Sequence, residues 1–431
     1  MGIPAAVRPD SAPTKHRVAA RRVQPVAVHV AIFLAALLLL FLRRPDALLN
    51  AQFYAEDGAR WFADAYHIGW RCLLLPESGY LQTVSRLIGL FCQLLPFVAA
   101  PLAMNLFALF FQILPANLFL SSRFAEIPLK TRVACSLLYF CLPNSFETHA
   151  NTTNIQWHLA LACCLLLLSR VPPLGLFRFC EWLLLALSVL DGPSGLLLTP
   201  VALIVWWIRR DRHSLSSVLV LIPGALLQTL VLLLSGTRRP APNGATLARF
   251  IEILGGQVFL SSILGLRTSI QWYFSHAPWL LLAQGLALAI GLAVVAYAFF
   301  RAPFEIRLFI FYAFLSLSLA LIHPVASFGA DYPQWQLMET PGVANRYYFF
   351  PMLAFLASLV WIVSNSTAKF MRLTSIAVLA LLPIGIVRDW RYKPFVDYSF
   401  KSFAMDFERV APGTRVSIPI NPDWHLILIK H

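Results

Sequence analysis

The chain has 431 residues, of which 59% are apolar and only 13% charged, with 33 Phe and 12 Trp. A soluble domain carries about 25% charged residues and cannot hide that much apolar surface, so soluble enzymes and soluble binding modules are excluded. The net charge of +14 is spread over short loops, where anionic lipid headgroups offset it, and does not imply nucleic acid.

Taken in chain order, residues 1–25 are polar and basic, with Arg8, Lys15, Arg17, Arg21 and Arg22, and read as a disordered cytoplasmic N-terminus. The run from Val26 to Leu42 has no small-residue cleavage site before Arg43 and Arg44, and reads as a retained signal anchor. Further apolar stretches follow at lengths near the roughly 20 residues that a helix needs to cross about 30 Å of hydrocarbon. Crossings are expected over 26–42, 101–121, 132–143, 157–170, 178–190, 195–208, 214–235, 277–299, 304–324, 346–363 and 371–387. The third, fourth and fifth are short, which suits helices that extend into flanking residues or stop inside a protein-lined cavity.

The basic loop residues set the orientation. Arg123, Lys130 and Arg132, then Arg170 and Arg178, Arg209, Arg210 and Arg212, Arg301 and Arg307, and Lys369 and Arg372 all fall on the cytoplasmic side if residues 81–97 do not cross. That segment is therefore read as a helix lying in the outer interface with Arg86 at its polar edge, although a full crossing is the alternative. The expected fold is an all-α polytopic membrane protein of about 11 transmembrane helices. Its transmembrane domain spans 26–387, its outer loops are 43–100, 144–156, 236–276 and 325–345, and its tail 388–431 is extracytoplasmic. The seven cysteines lie in or beside apolar segments without metal-ligand spacing, and read as small apolar side chains.

Outside the membrane the sequence becomes selective. The segment NAQFYAEDGARWFADAYHIGW places Glu56 and Asp57 side by side just after the first crossing, with Arg60, Asp64 and His67 close behind. Adjacent carboxylates at a membrane surface repel, so at least one gains proton affinity and can accept a proton from an attacking hydroxyl. The structural alternative is a cap on the helix GARWFADAY. The second outer loop, LPNSFETHANTTNIQW, offers Glu147, His149, Asn154 and Gln156 as candidates to line a water-accessible cavity. In ETPGVANRYYFFP, Arg346 and Tyr347 stand where an outer loop meets a crossing, and a guanidinium there grips a phosphate or snorkels at a helix end.

A cytoplasmic N-terminus, one crossing, a long outer loop opening on an acidic pair, interfacial helices and many further crossings resemble the GT-C type membrane glycosyltransferases, which use polyprenyl-phosphate-linked sugars. The resemblance covers about the first 170 residues, and the rest only as architecture. It implies a GT-C-like bundle in a bacterial inner membrane, with Asp57 as base, Glu56 beside it and Arg346 on the donor phosphate. It also implies a glycan or lipid acceptor reached among Glu147, His149, Asn154, Gln156, Arg60 and Tyr347. No metal site is implied, and a divalent cation at the carboxylates is the one cofactor left open. A transporter or lipid-linked-sugar flippase has similar architecture, as does a non-catalytic membrane partner protein.

The remaining outer segments are less specific. Asp191 in DGPSG reads as turn chemistry, and 247–260 as an amphipathic helix over the cavity within a loop that holds Arg238 and Arg239. The tail reads as a helix over 400–410 and strands over 414–420 and 424–429 joined by Asn421-Pro422-Asp423. About 40 residues bury no core alone, so it is expected to dock on the outer loops.

Overall fold

The computed structural model describes residues 25–170, 175–236, 241–326 and 332–431. Arg8, Lys15, Arg17, Arg21, Arg22, Arg238, Arg239 and part of the 325–345 loop lie outside the described residues. Among those described, eight helices are long and apolar enough to cross a membrane: Val26–Arg43, Phe97–Leu120, Arg212–Leu234, Leu247–Leu264, Leu280–Arg301, Phe304–Ile322, Asn345–Asn365 and Lys369–Asp389. They are helical because continuous apolar chain in hydrocarbon can satisfy its backbone only within itself. Their outward faces carry Leu and Phe rather than charge, as at Leu34, Leu38, Leu226, Leu282 and Phe370. The chain is a multi-pass membrane protein.

Seven of these helices fall on expected crossings, and the other four expected crossings are shorter helices. Leu129–Phe140 has 12 residues and Leu176–Val189 has 14, while Pro193–Leu196 and Leu198–Arg209 are joined at Leu197. Ile155–Leu168 has 14 residues, twelve of them buried. It is the central post of the bundle, packed by Ala100–Leu120, Leu176–Val189 and Leu198–Arg209. A helix surrounded by protein need not reach the lipid boundary, and its short length leaves room above its N-terminus.

Arginines gather helix ends at both rims of the bundle. At one rim the buried Arg43 donates to the carbonyls of Phe140 (2.6 Å), Leu142 (3.3 Å) and Asp389 (3.3 Å). At the opposite rim Arg209 donates to Leu167, Leu168 and Ser169, and Arg132 to Leu120 and Ser121. Helix C-termini leave carbonyls without intrahelical partners and carry partial negative charge, so a guanidinium satisfies both needs at once.

The rim that holds Arg43 also carries the layer built from residues 46–99. Its Thr83–Cys92 helix packs beneath the π-helix Asp57–Phe62 instead of lying at a polar surface. Gly89 permits the approach, since a Cβ there would stand 2.3 Å from the Trp61 carbonyl oxygen. The expectation of Arg86 at a polar edge is corrected: Arg86 is 1% exposed, donates to Asp64 at 2.8 Å and lies 5.0 Å from the Trp61 ring. A guanidinium bonded to a carboxylate and covered by an indole is stable without water.

The segment expected as an amphipathic helix over the cavity is also corrected. Leu247–Leu264 is apolar enough to cross a membrane despite Arg249 and Glu252 in its first turns, and packs along Leu280–Arg301, with Gly255 and Gly256 against Gln284 and Phe259 against Gly291. Both its ends meet the same rim. Asn243, just before it, donates to the Leu321 carbonyl, and Ile263 near its end touches Gly385.

In the tail, helix Phe400–Arg409 precedes antiparallel strands Arg415–Ile420 and Trp424–Ile429. The hairpin docks through Asn421, whose N–H donates to the Phe53 carbonyl at 3.2 Å, and through Ile429, whose N–H donates to His67 Nε2 at 3.1 Å. Phe400 and Phe407 pack against Phe97. The seven cysteines are free thiols, with Cys180 exposed.

Candidate functional site

The acidic pair is split by its backbone. Ala55 has a left-handed φ of 44°, and the π-helix starts at Asp57, so consecutive side chains leave in different directions. Such backbone outliers cost energy and concentrate at functional sites. Asp57 turns inward, 1% exposed, and accepts from the Thr152 N–H (3.0 Å), the Thr153 N–H (2.7 Å) and the Thr153 hydroxyl (2.7 Å). These N–H groups open the short turn that leads into the central helix, so Asp57 caps a helix from another part of the chain. Burial pushes its carboxyl up to about 6, and the two threonines pull it back down.

Other acids of this rim are spent in the same way. Asp191 accepts from the Val84 N–H at 2.9 Å, Asp389 from the N–H groups of Asn144 (2.9 Å), Leu266 (2.6 Å) and Arg267 (3.1 Å), and Asp46 from that of Phe395 (3.0 Å). Asp64 meets Arg86 and Glu77 meets Arg60 at 3.2 Å. Asp191 is therefore a cap on the Thr83–Cys92 helix rather than a cavity residue.

Glu56 is different. It is half-buried and lines a cavity of about 630 Å³, and among the described residues no other residue donates a hydrogen bond to it. Burial pushes its carboxyl up to about 7; Arg346 opposes that rise, and the charges of Asp57 and Glu77 reinforce it. A carboxyl raised in this way binds a proton more readily than an ordinary glutamate.

The same cavity brings together Glu147, Asn154, Gln156, Arg346 and Tyr347. Arg346 is ion-paired through Nη1 with Glu147 Oε1, and its backbone N–H donates to Glu147 Oε2 at 3.0 Å. Its other terminal nitrogen donates to the Val325 carbonyl at 2.6 Å, and its guanidinium carbon lies 4.8 Å from the Tyr347 ring centre. Asn154 donates to the Glu147 carbonyl at 2.9 Å and accepts from Trp157 Nε1 at 3.2 Å, which holds the loop over the central helix.

Three sequence candidates stand outside the cavity wall. Asp57 lies behind it, Arg60 is exposed and reaches back to pair with Glu77, and His149 is buried against Tyr392 with ring centres 5.1 Å apart. Burial, with the neighbouring Arg44 and Arg43, holds the His149 ring well below the usual imidazole range.

Sequence reasoning missed Glu77, which enters from the PESGY turn, and Ser316 and His323, which enter from the end of Phe304–Ile322. It also missed Pro422 and Trp424, which close one side from the tail. The left-handed Ser78 and Gly79 after Glu77 were the available signal. Among the described residues no group of three or more His, Cys, Asp and Glu side chains could hold a metal ion. Compared with protein-family models and with curated proteins, the chain matches none of either.

Proposed function

We propose that this cavity transfers a sugar from a polyprenyl-phosphate carrier to a hydroxyl of a glycan or lipid acceptor, on the extracytoplasmic face of a bacterial inner membrane. The observation that carries the reading is Glu56: the carboxylate left uncommitted at a rim where neighbouring acids are bonded, set in a cavity that it shares with Glu147, Gln156 and Arg346, and raised by burial to about 7. In this reading the chain crosses eleven times, with its N-terminus inside. It requires that the Thr83–Cys92 and Leu247–Leu264 helices do not cross.

The acceptor hydroxyl gives its proton to Glu56, and its oxygen attacks the anomeric carbon from the face opposite the carrier. The bond from that carbon to the phosphate oxygen breaks, and the electron pair leaves with the polyprenyl phosphate, whose charge Arg346 stabilises. The sugar inverts in one step. Asp57 does not touch the substrate in this scheme; it holds the Thr152–Thr153 turn that shapes the cavity floor.

The test is product formation. Purified protein in nanodiscs is offered a panel of polyprenyl-phosphate sugars with candidate acceptors, and release of polyprenyl phosphate is measured with the glycosylated product. Release with no product from any acceptor, or no release from any donor, removes the proposal.

One observation favours a second reading. A largely apolar cavity of about 600 Å³ opens at the opposite rim, between Leu129–Phe140, Phe304–Ile322 and Asn345–Asn365. It is joined to the first by an aromatic series, Trp157–Phe350–Phe349–Tyr139, with ring centres 5.1–6.2 Å apart. Cavities at both rims with an aromatic layer between them are what a flippase for a lipid-linked sugar requires. Movement of a labelled lipid-linked sugar between leaflets without chemical change would select it.

A further inference from the structure

Glu147 is the one cavity acid whose carboxylate meets both a guanidinium and a helix-start N–H. Among the described residues, its two oxygens are both bonded to Arg346, one to Nη1 and one to the backbone N–H. That N–H belongs to the turn Asn345–Tyr348, which runs directly into Phe349–Asn365, so it has no acceptor within the helix and sits at the positive end of the dipole. A backbone N–H and a guanidinium converging on two oxygens of one anion is the geometry that proteins use for phosphate.

We propose that this pair of donors on Arg346 is an oxyanion site for a phosphate group, and that Glu147 is its built-in competitor, holding the donors until phosphate displaces it. The arrangement of anchors separates the two residues. Arg346 stays in place without Glu147, because Nη2 is bonded to the Val325 carbonyl and the guanidinium lies over Tyr347. The Glu147 main chain is fixed by Asn151 and Asn154, which donate to its carbonyl at 2.7 and 2.9 Å. Only the Glu147 side chain is free to swing, and both residues face the cavity into which it would move. Without the competitor the cavity would present an unpaired guanidinium to every passing anion. With it, only a group that outbids a carboxylate at both donors gains the site, which favours a phosphate ester over a monodentate anion.

The identity of the phosphate's bearer rests on the proposed function, but the site itself is tested with inorganic phosphate alone. Binding is measured by calorimetry on the full chain in nanodiscs, at constant ionic strength set with chloride. Glu147→Gln removes the competing charge and is expected to bind phosphate about tenfold more tightly than the wild type or better, because like charges set side by side oppose binding strongly. Adding Arg346→Gln is expected to abolish the gain. A folded Glu147→Gln protein with wild-type phosphate affinity, or a gain that survives Arg346→Gln, overturns the proposal. If Glu147→Gln does not fold, Glu147→Asp is read instead: its shorter carboxylate cannot span both donors, so an intermediate gain supports the site and wild-type affinity overturns it. A phosphate gain in a protein that transfers no sugar leaves the site standing and removes the transferase reading. Sugar transfer by the wild type with no gain in the variants removes the competitor alone.

Discussion

At the scale of residues, the acidic pair divides into a bonded member, Asp57, and an uncommitted one, Glu56, and substitution separates them. Asp57 uses both carboxylate oxygens as acceptors, so Asp57→Asn turns an amide NH₂ toward a backbone N–H. We expect that variant to lose about 1–3 kcal/mol of stability, the usual cost of a buried unsatisfied donor, seen as a lower melting temperature in nanodiscs. Glu56→Gln breaks no such bond and is expected to melt with the wild type. Equal melting of Asp57→Asn and wild type would end the capping role. The pair was legible in the sequence as two acids after the first crossing, but its division was not. The deciding contacts come from Thr152 and Thr153, 95 and 96 positions away, and from a left-handed turn at an alanine, which carries no sequence signal for that conformation. The pairing of Glu147 with Arg346 was hidden for the same reason, although both residues were singled out separately.

At the scale of elements, the site depends on close approach between short helices. Gly89 lets Thr83–Cys92 lie against the π-helix that carries Asp57, and a methyl group at that position has no space beside the Trp61 carbonyl. Gly89→Ala is expected to cost about 1–3 kcal/mol as an overpacking change, and to lower transfer because the π-helix shifts with Glu56 at its edge. Undiminished stability and transfer would show that the two helices do not set the site. The lipid-facing helices were legible because an apolar run of the necessary length has one solution in a bilayer. Leu247–Leu264 has that length too, but its end contacts at Leu321 and Gly385 and the bonds of Gln257 with Asn144 and Glu339 tie it to one rim. The docking of the tail was legible as a need for partners, but its means was not. A ladder of rings and guanidinium groups runs Tyr54, Phe395, Arg44, Tyr392, Arg43, Trp390, with successive separations of 4.2–5.9 Å. Arg44 is buried, no carboxylate is bonded to it among the described residues, and the aromatic faces of Tyr392 and Phe395 supply its compensation. Phe395→Ala is expected to expose that charge and loosen the segment after Asp389, read as faster proteolysis between the last long helix and the tail; unchanged proteolysis would contradict the ladder's role.

At the scale of the whole molecule, helix ends sort onto two rims, with Arg43, Glu147 and Asp389 at one and Arg132, Arg209 and Glu305 at the other. The basic loops expected on one side come together at one rim, with Arg123 on Ser169, Arg132 on the Leu120 carbonyl, and Arg170 and Arg209 on Glu305. Single cysteines at the exposed positions Ser402 and Thr367, with Cys180 replaced, are expected to react with an impermeant thiol reagent from outside only at 402. Labelling of 367 from outside would invert the chain and place the Glu56 cavity on the wrong face for this chemistry. In the proposed reaction Glu56 is the base. Its carboxyl must be ionised to take a proton, so the transfer rate of the wild type is expected to be low in acid, to rise as the pH passes about 7 and to level off above it. The measurement that tests this most directly is the rate of sugar transfer against pH for wild type and Glu56→Gln, both shown to be folded by thermal melt. Glu56→Gln is expected to lose about 10²- to 10⁴-fold in rate and to lack the rise near 7. A folded Glu56→Gln protein with the wild-type rate and the same rise would contradict it.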